Sequence, residues 1–362
     1  MLSEPFRLLA SAGGVALSVF LISLLLSMYR GWDEKIGGFV EGSGVDVWVA
    51  RQGTTDFLSA ASIVPADTGD SLELLGNVSG WNPLIVRPMA AYTEGGESMD
   101  ISLIGFQGSG GLGGPPGINA GEALPGDGEA VVDKSISDRY GVDIGDTILV
   151  VGHPLRVVGL SEGGNFVFWQ AVFVDFEGAE RILEQKGFAT FLLFDLQDPD
   201  TNGAFAERVE SERPDLQAAT SAEFAEATRE RILGELLPII SVVLVLAFIV
   251  GLTISGLTIY TATVERAREW GILKAVGFRN SALYRVVLAQ SVATAATGFL
   301  AGAGLAFLFA PYADDLAPQL ILTTKWYDVL AVGGLTLAMA VLASFVPVRR
   351  IGRIDPVAVF QA

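Results

Sequence analysis

Glu265, Arg266, Arg268, Glu269 and Lys274 fall within residues 263–280, interleaved with Trp270, Ile272, Leu273 and Val276. Charges of both signs beside large apolar groups suit docking on another protein: the apolar groups gain by leaving water, and paired charges at a rim set specificity and on-rate. Residues for bond-making chemistry are sparse. His153 is the only histidine and cysteine is absent, which excludes disulfides, thiol nucleophiles and Cys-ligated metals. A catalytic or metal-binding histidine needs companions, so His153 reads as a turn residue before Pro154. Acidic residues are many, but no spacing singles out a general acid–base pair. ATP hydrolysis needs a phosphate-cradling loop, Gly-x-x-x-x-Gly-Lys-Ser/Thr. None is present, and the Gly-rich stretch 108–114 contains no lysine.

The elements around the charged segment define its setting. Mean hydropathy is +0.48, and the apolar excess is local. Four stretches, 8–29, 236–260, 284–310 and 327–348, match the roughly 20 apolar residues needed to cross about 30 Å of hydrocarbon. Each must be helical, because backbone polar groups find no water in lipid. The first has too long an apolar core for a signal peptide and no small-x-small cleavage site follows it. Tyr29-Arg30-Gly31-Trp32 reads as its interfacial anchor. Gly251-x-x-x-Ser255 and Gly298-x-x-x-Gly302 permit close helix packing, within one subunit or at a homodimer contact. Ionisable residues are almost absent from the spans, which argues against ion-coupled secondary transport.

Orientation follows from Lys and Arg in short flanks. Arg7, then Arg266, Arg268, Lys274, Arg279 and Arg285, then Arg349, Arg350 and Arg353, place both termini and the 261–283 segment in the cytoplasm. The 311–326 loop has only Lys325, with Asp314 and Asp315, and lies outside with residues 30–235. Nine of the 23 basic and four of the 41 acidic residues are cytoplasmic, leaving 14 basic and 37 acidic outside. So acidic an exterior argues against nucleic acid and anionic lipid as its partners and reads first as a device for solubility.

The exterior segment reads as mixed α/β. Strands are expected at 45–50, 82–89, 99–106, 129–133, 171–174, 189–196 and 216–220, helices at 66–75, 134–140, 177–186 and 201–212. Residues 147–151 and 155–160 form a hairpin around Gly152-His153-Pro154, and the Gly- and Pro-rich stretch 108–128 reads as a loop. Ser221 reads as the N-cap of a stalk helix, 221–235, with no stop signal before the second span. Pro238 bends this helix without ending it. Residues 261–283 read as a helix that continues the second span and turns at Gly277, followed by the third span, and 349–362 as a cytoplasmic tail.

Glu265-Arg266-x-Arg268-Glu269-x-Gly271-Ile272-x-Lys274-Ala275-x-Gly277 resembles the cytoplasmic motif of the FtsX/MacB-like (type VII) ABC transporter permeases. The ending Pro347-x-Arg349-Arg350 with Asp355-Pro356, and Gly141-Val142-x-Ile144-Gly145-Asp146-x-Ile148 with Val157-Val158-Gly159, are similar to that family's tail and periplasmic core. The short lead before the first span resembles the branch that includes DevC-type glycolipid exporters. Trp270 departs from the family's usual Ile. The resemblance implies a homodimer of four-span chains, each with an exterior domain made of a porter-like subdomain from its two ends and an inserted strand-rich subdomain near 100–175. It implies a dimer interface made mostly by the first two spans, which favours Gly251 over Gly298 there. It also implies a separate cytoplasmic ATPase subunit that carries ATP and Mg, this chain binding no cofactor and no metal. Glu265, Arg268, Glu269 and Lys274 would be the charged residues of the ATPase-coupling segment, and Trp270, Ile272 and Leu273 its apolar contacts, with Gly271 and Gly277 allowing close approach and a turn. The expected function is ATP-driven movement of the exterior domain that exports or extracts a lipid, lipoprotein, peptide or drug, with a membrane-fusion or adaptor protein as a further partner. The alternatives are control of a cell-wall hydrolase and a membrane-anchored exterior enzyme.

Overall fold

A computed structural model describes residues 5–58, 62–108, 111–316 and 319–352, with side chains from residue 12 onward except those of 314 and 315. The side chains of Arg7, Asp314 and Asp315, and all of Arg353, Asp355 and Pro356, lie outside the described residues. In chain order the elements are α1 (Pro5–Gly42), β1 (Val47–Arg51), β2 (Val64–Pro65), α2 (Thr68–Glu73), β3 (Val78–Thr93), β4 (Ser98–Phe106), β5 (Gly117–Gly121) and β6 (Glu129–Asp133). Then follow α3 (Lys134–Tyr140), β7 (Thr147–Val150), β8 (His153–Glu162), β9 (Gln170–Asp175), α4 (Phe176–Leu183), β10 (Phe188–Ala189), β11 (Phe191–Leu196), α5 (Asn202–Glu212) and β12 (Leu216–Thr220). The chain continues through α6 (Ser221–Glu265), α7 (Ala267–Ala275), α8 (Asn280–Phe309), α9 (Ala313–Leu316) and α10 (Trp326–Gly352). Two compact units result: Trp32–Glu235 with Ala317–Gln319, and the remainder.

The first unit is built on a mixed sheet ordered β12-β1-β11-β3-β4-β9-β6-β8-β5, with β7 paired to β3 and β8. Strands from the two ends of the segment (β12, β1, β11, β3) form one half and those of residues 98–175 the other. β1 shows why the sheet has two cores. Val47 and Val49 point to one face, where α4 and α5 bring Phe176, Ile182, Phe205 and Val209. Trp48 and Ala50 point to the other, beside Phe39 of α1, Phe57, Phe166, Phe191 and Phe224 of α6. Period-two alternation therefore gives apolar residues on both faces, each burial contributing about 1.5–3 kcal/mol for a large side chain.

Several local expectations change in the structure. Residues 108–128 are not all loop: β5 pairs antiparallel with β8, although its side chains are mostly exposed. The β7–β8 turn is Val151-Gly152, both at positive φ (51° and 81°), and His153 opens β8 opposite Val150. α4 stops at Leu183 because Glu184 takes the left-handed conformation, before Gly187 is reached. Residues 189–196 are split, with β10 joining β2 in a separate two-stranded sheet. The α6 N-cap is Thr220. Its Oγ1 accepts from Glu223 N (3.3 Å), while Glu223 Oε2 accepts from Thr220 N (3.0 Å), a reciprocal capping box. The Ser221 hydroxyl instead accepts from Trp48 Nε1 (3.0 Å) and donates to Val45 O.

Among the described residues four helices are long and apolar enough to cross a membrane: Ala12–Gly42 of α1, α6, α8 with the turn to Tyr312, and α10. Their outward faces carry Ile239, Val242, Leu246, Leu300, Phe307 and Leu330, all exposed. A Cβ at Gly298 would stand 2.6 Å from Val15 and 3.0 Å from Ala12 O; at Gly302, 2.4 Å from Ala16 O. Both glycines let α8 close on α1. Gly251 packs against Ser18 and Met339, so the Gly251 site belongs to the packing of α6 on α1 and α10 of the same chain, and Ser255 is buried beside it. A Cβ at Gly251 would stand 2.2 Å from Met339 Cε, so the helix packing expected there is seen within one chain. At the other end of α1, Arg30 Nε lies 3.4 Å from Asp328 Oδ1, and Ser27 Oγ 2.8 Å from Thr324 Oγ1.

Candidate functional site

The charged segment is not a continuation of the second span. α6 ends at Glu265, Arg266 leaves helical geometry (φ −95°, ψ 16°), and α7 is a separate nine-residue helix, Ala267–Ala275. Gly277 ends it at φ 101°: Phe278 N donates to Leu273 O and Gly277 N to Lys274 O, both at 3.0 Å. This is the paired bonding of a Schellman C-terminus, which requires the left-handed conformation that glycine adopts without penalty.

α7 has two faces. Trp270 and Gly271 are buried, and Trp270 joins Ile259, Leu283, Val287, Ala343 and Ile351 in one apolar cluster, with Leu273 packed against it. Trp270, expected as an apolar contact, is 7% exposed and anchors α7 on its own unit. Lys274 Nζ donates to Gly352 O (3.1 Å), tying α7 to the end of α10, where a cation suits the helix C-terminus. The outward face carries Arg268, Glu269 and Ile272, and Glu265 at the end of α6 is exposed as they are.

Beside this face is a depression of about 260 Å³, lined by Arg266, Glu269, Trp270, Leu273, Phe278 and Val286. Phe278 in its lining is 52% exposed, and Val276 at the end of α7 is 74% exposed. Val276 is among the apolar residues the sequence singles out; Phe278 is not, because it lies beyond the turn at Gly277, where helical phase carries no signal. The arrangement offers a charged and apolar surface for a partner. Among the described residues no group of His, Asp and Glu is placed to hold a metal ion.

Four apolar helices, a short helix presented between two of them and a large strand-rich α/β unit define a multi-pass membrane protein of the transporter-permease class. The family model described as the MacB-like periplasmic core domain matches residues 8–212, and that described as the FtsX-like permease C-terminal matches 237–356. The chain belongs to the FtsX/MacB-like family of ABC transporter permeases, and is a permease component of such a transporter. It is 24% identical to an uncharacterized ABC transporter permease of Mycobacterium bovis, covering 94% of this chain and 92% of that one. It is 29% identical to a pyoverdine export ATP-binding/permease protein of Pseudomonas syringae, over 64% of this chain and 36% of that one. The periplasmic region of MacB from Actinobacillus actinomycetemcomitans aligns with 51% of this chain and 92% of its own length, at 13% identity and a TM-score of 0.39.

Proposed function

We propose that α7 is the seat of a separate cytoplasmic ATPase subunit, and that ATP binding and hydrolysis there move the exterior domain through α6. The observation that carries this is the outward face of α7: a short helix, anchored by buried Trp270 and Lys274, presenting Arg268, Glu269 and Ile272 beside an open depression. In this reading both termini and α7 are cytoplasmic, two copies of the chain form the working permease, and ATP and Mg stay on the partner. In the same reading α6, helical from Ser221 to Glu265 with Pro238 inside it, is the element that carries motion from α7. The work is export or extraction of a lipid, lipoprotein, peptide or drug. Relatives whose names state pyoverdine export and macrolide export support export over control of a hydrolase.

The chain has no cysteine, so Ile272→Cys carries a unique thiol. A photoactivatable crosslinker on it should join the chain to the co-expressed ATPase, and the same reagent on Leu300→Cys should not. No crosslink from position 272, with both proteins present and folded, contradicts the reading.

A further inference from the structure

We propose that the cavity enclosed by α1, α8 and α10 is a resident site for one acyl chain of a bilayer phospholipid. The cavity measures about 220 Å³ and lies wholly within the four-helix unit. Leu26, Phe299, Ala303, Phe307, Val329 and Val332 give it hydrocarbon walls. Its polar lining is Ser23, Ser27, Thr324 and Asp328; Ser27 and Thr324 share a hydrogen bond of 2.8 Å, and Asp328 accepts from Arg30. Phe307 is 79% and Val329 40% exposed, so the mouth opens sideways onto the surface that four apolar helices turn toward lipid.

Three physical points select the occupant. An unfilled gap forfeits the dispersion contacts of its lining. Water needs two to four polar partners, and the four polar side chains of the lining, Ser23, Ser27, Thr324 and Asp328, are outnumbered by apolar ones. A dry apolar cavity of about 150 Å³ already admits a benzene-sized molecule, and this one is larger and continuous with hydrocarbon. The polar lining fits the rest of a phospholipid. Ester oxygens accept from the hydroxyls, and a phosphate accepts from the Arg30 guanidinium in a charge-assisted bond. The Arg30 guanidinium lies 3.4 Å from Asp328 and 5.2 Å from the Tyr327 ring centroid, which leaves N–H donors for a phosphate. The lipid completes the packing of α1 on α8 and α10, and the inference does not depend on the ATPase reading.

The test uses the full chain in phosphatidylcholine nanodiscs containing a small fraction of phosphatidylcholine with a diazirine in one acyl chain. After irradiation, adducts are mapped by mass spectrometry. They should concentrate on Leu26, Phe299 and Val332. Ala303→Phe, and independently Ala306→Phe, fills the cavity and should lower that labelling about tenfold, whereas Leu300→Phe on the outer surface should leave it unchanged. Adducts spread evenly over exposed residues such as Leu300 and Phe345, or labelling that survives whichever filling variant folds, would overturn the proposal.

Discussion

The guanidinium of Arg229 on α6 lies over Gly37 of α1, in space that a Cβ at position 37 would fill; Cζ, Nε and Nη2 would stand 2.4–2.5 Å from it. Nε donates to Asp33 O (3.1 Å) and Nη2 to Glu41 Oε1 (2.8 Å). Asp33 and Gly37 are neighbours on one face of the helix, four residues apart, so the missing side chain is what opens the Asp33 carbonyl to the arginine. Gly38, one residue on, has no neighbour within 4 Å of its own Cβ position.

The two glycines therefore respond oppositely to the same change. Gly38→Ala gains helix propensity, about 1 kcal/mol, and should raise the thermal unfolding midpoint. Gly37→Ala gains the same propensity but displaces the guanidinium, and should leave the midpoint lower than Gly38→Ala does. In an Arg229→Ala background that difference should vanish. Equal midpoints for the two single variants would show that the close approach carries no energy.

Val151 stands at φ 51° in the two-residue β7–β8 turn, a conformation that β-branched residues rarely adopt, and its side chain is 60% exposed. Val151→Asn should stabilise the protein by about 1 kcal/mol, because asparagine tolerates the left-handed turn positions. An unchanged or lower denaturant midpoint would contradict this.

Burial lifts the Asp133 carboxyl above the usual carboxylate range, against the opposing hydrogen bonds from Ser135 and Gly164 N (2.8 Å). A raised folded-state value means the folded chain binds a proton more readily than the unfolded one. Stability from this group is therefore fully present below its ordinary value and is lost as pH rises through the raised one. Relative to Asp133→Asn, the native chain should gain stability as pH falls through that acid window, read as the difference between the two denaturant midpoints. A difference independent of pH would remove the linkage.

Trp270 and Ile272 separate anchoring from docking. Trp270→Ala empties a buried site and should cost about 3–5 kcal/mol, lowering the unfolding midpoint. Ile272→Ala, on an exposed side chain, should leave the midpoint within experimental scatter and weaken only association with the ATPase. If both variants behave alike, the two faces of α7 are assigned wrongly.

The spans were legible because about 20 apolar residues in a row admit one backbone solution in lipid. β6, α3 and β12 were legible because local chemistry marks their ends, such as Asp133 capping α3 and Gly141 closing it at φ 64°. β5 was not. It is an exposed edge strand in a Gly-rich stretch, placed by backbone pairing to β8 that side-chain periodicity does not encode. The break at Arg266 was hidden for a related reason: no Gly or Pro marks it, and the chain turns there so that Trp270 can reach Ile259 and Leu283. The charged residues of the site were visible from their types alone. The burial of Trp270 and the exposure of Phe278 required knowing which face of α7 is packed.

The central claim is that α7 couples this chain to an ATPase. The chain and the ATPase subunit encoded beside it should be purified together in lipid, and ATP hydrolysis measured with the native chain and with Glu269→Lys. The account predicts a stable complex whose hydrolysis is stimulated by the native chain, and a substituted chain that folds but loses the stimulation or the partner. An ATPase that does not associate, or a rate indifferent to the charge reversal at position 269, would contradict it.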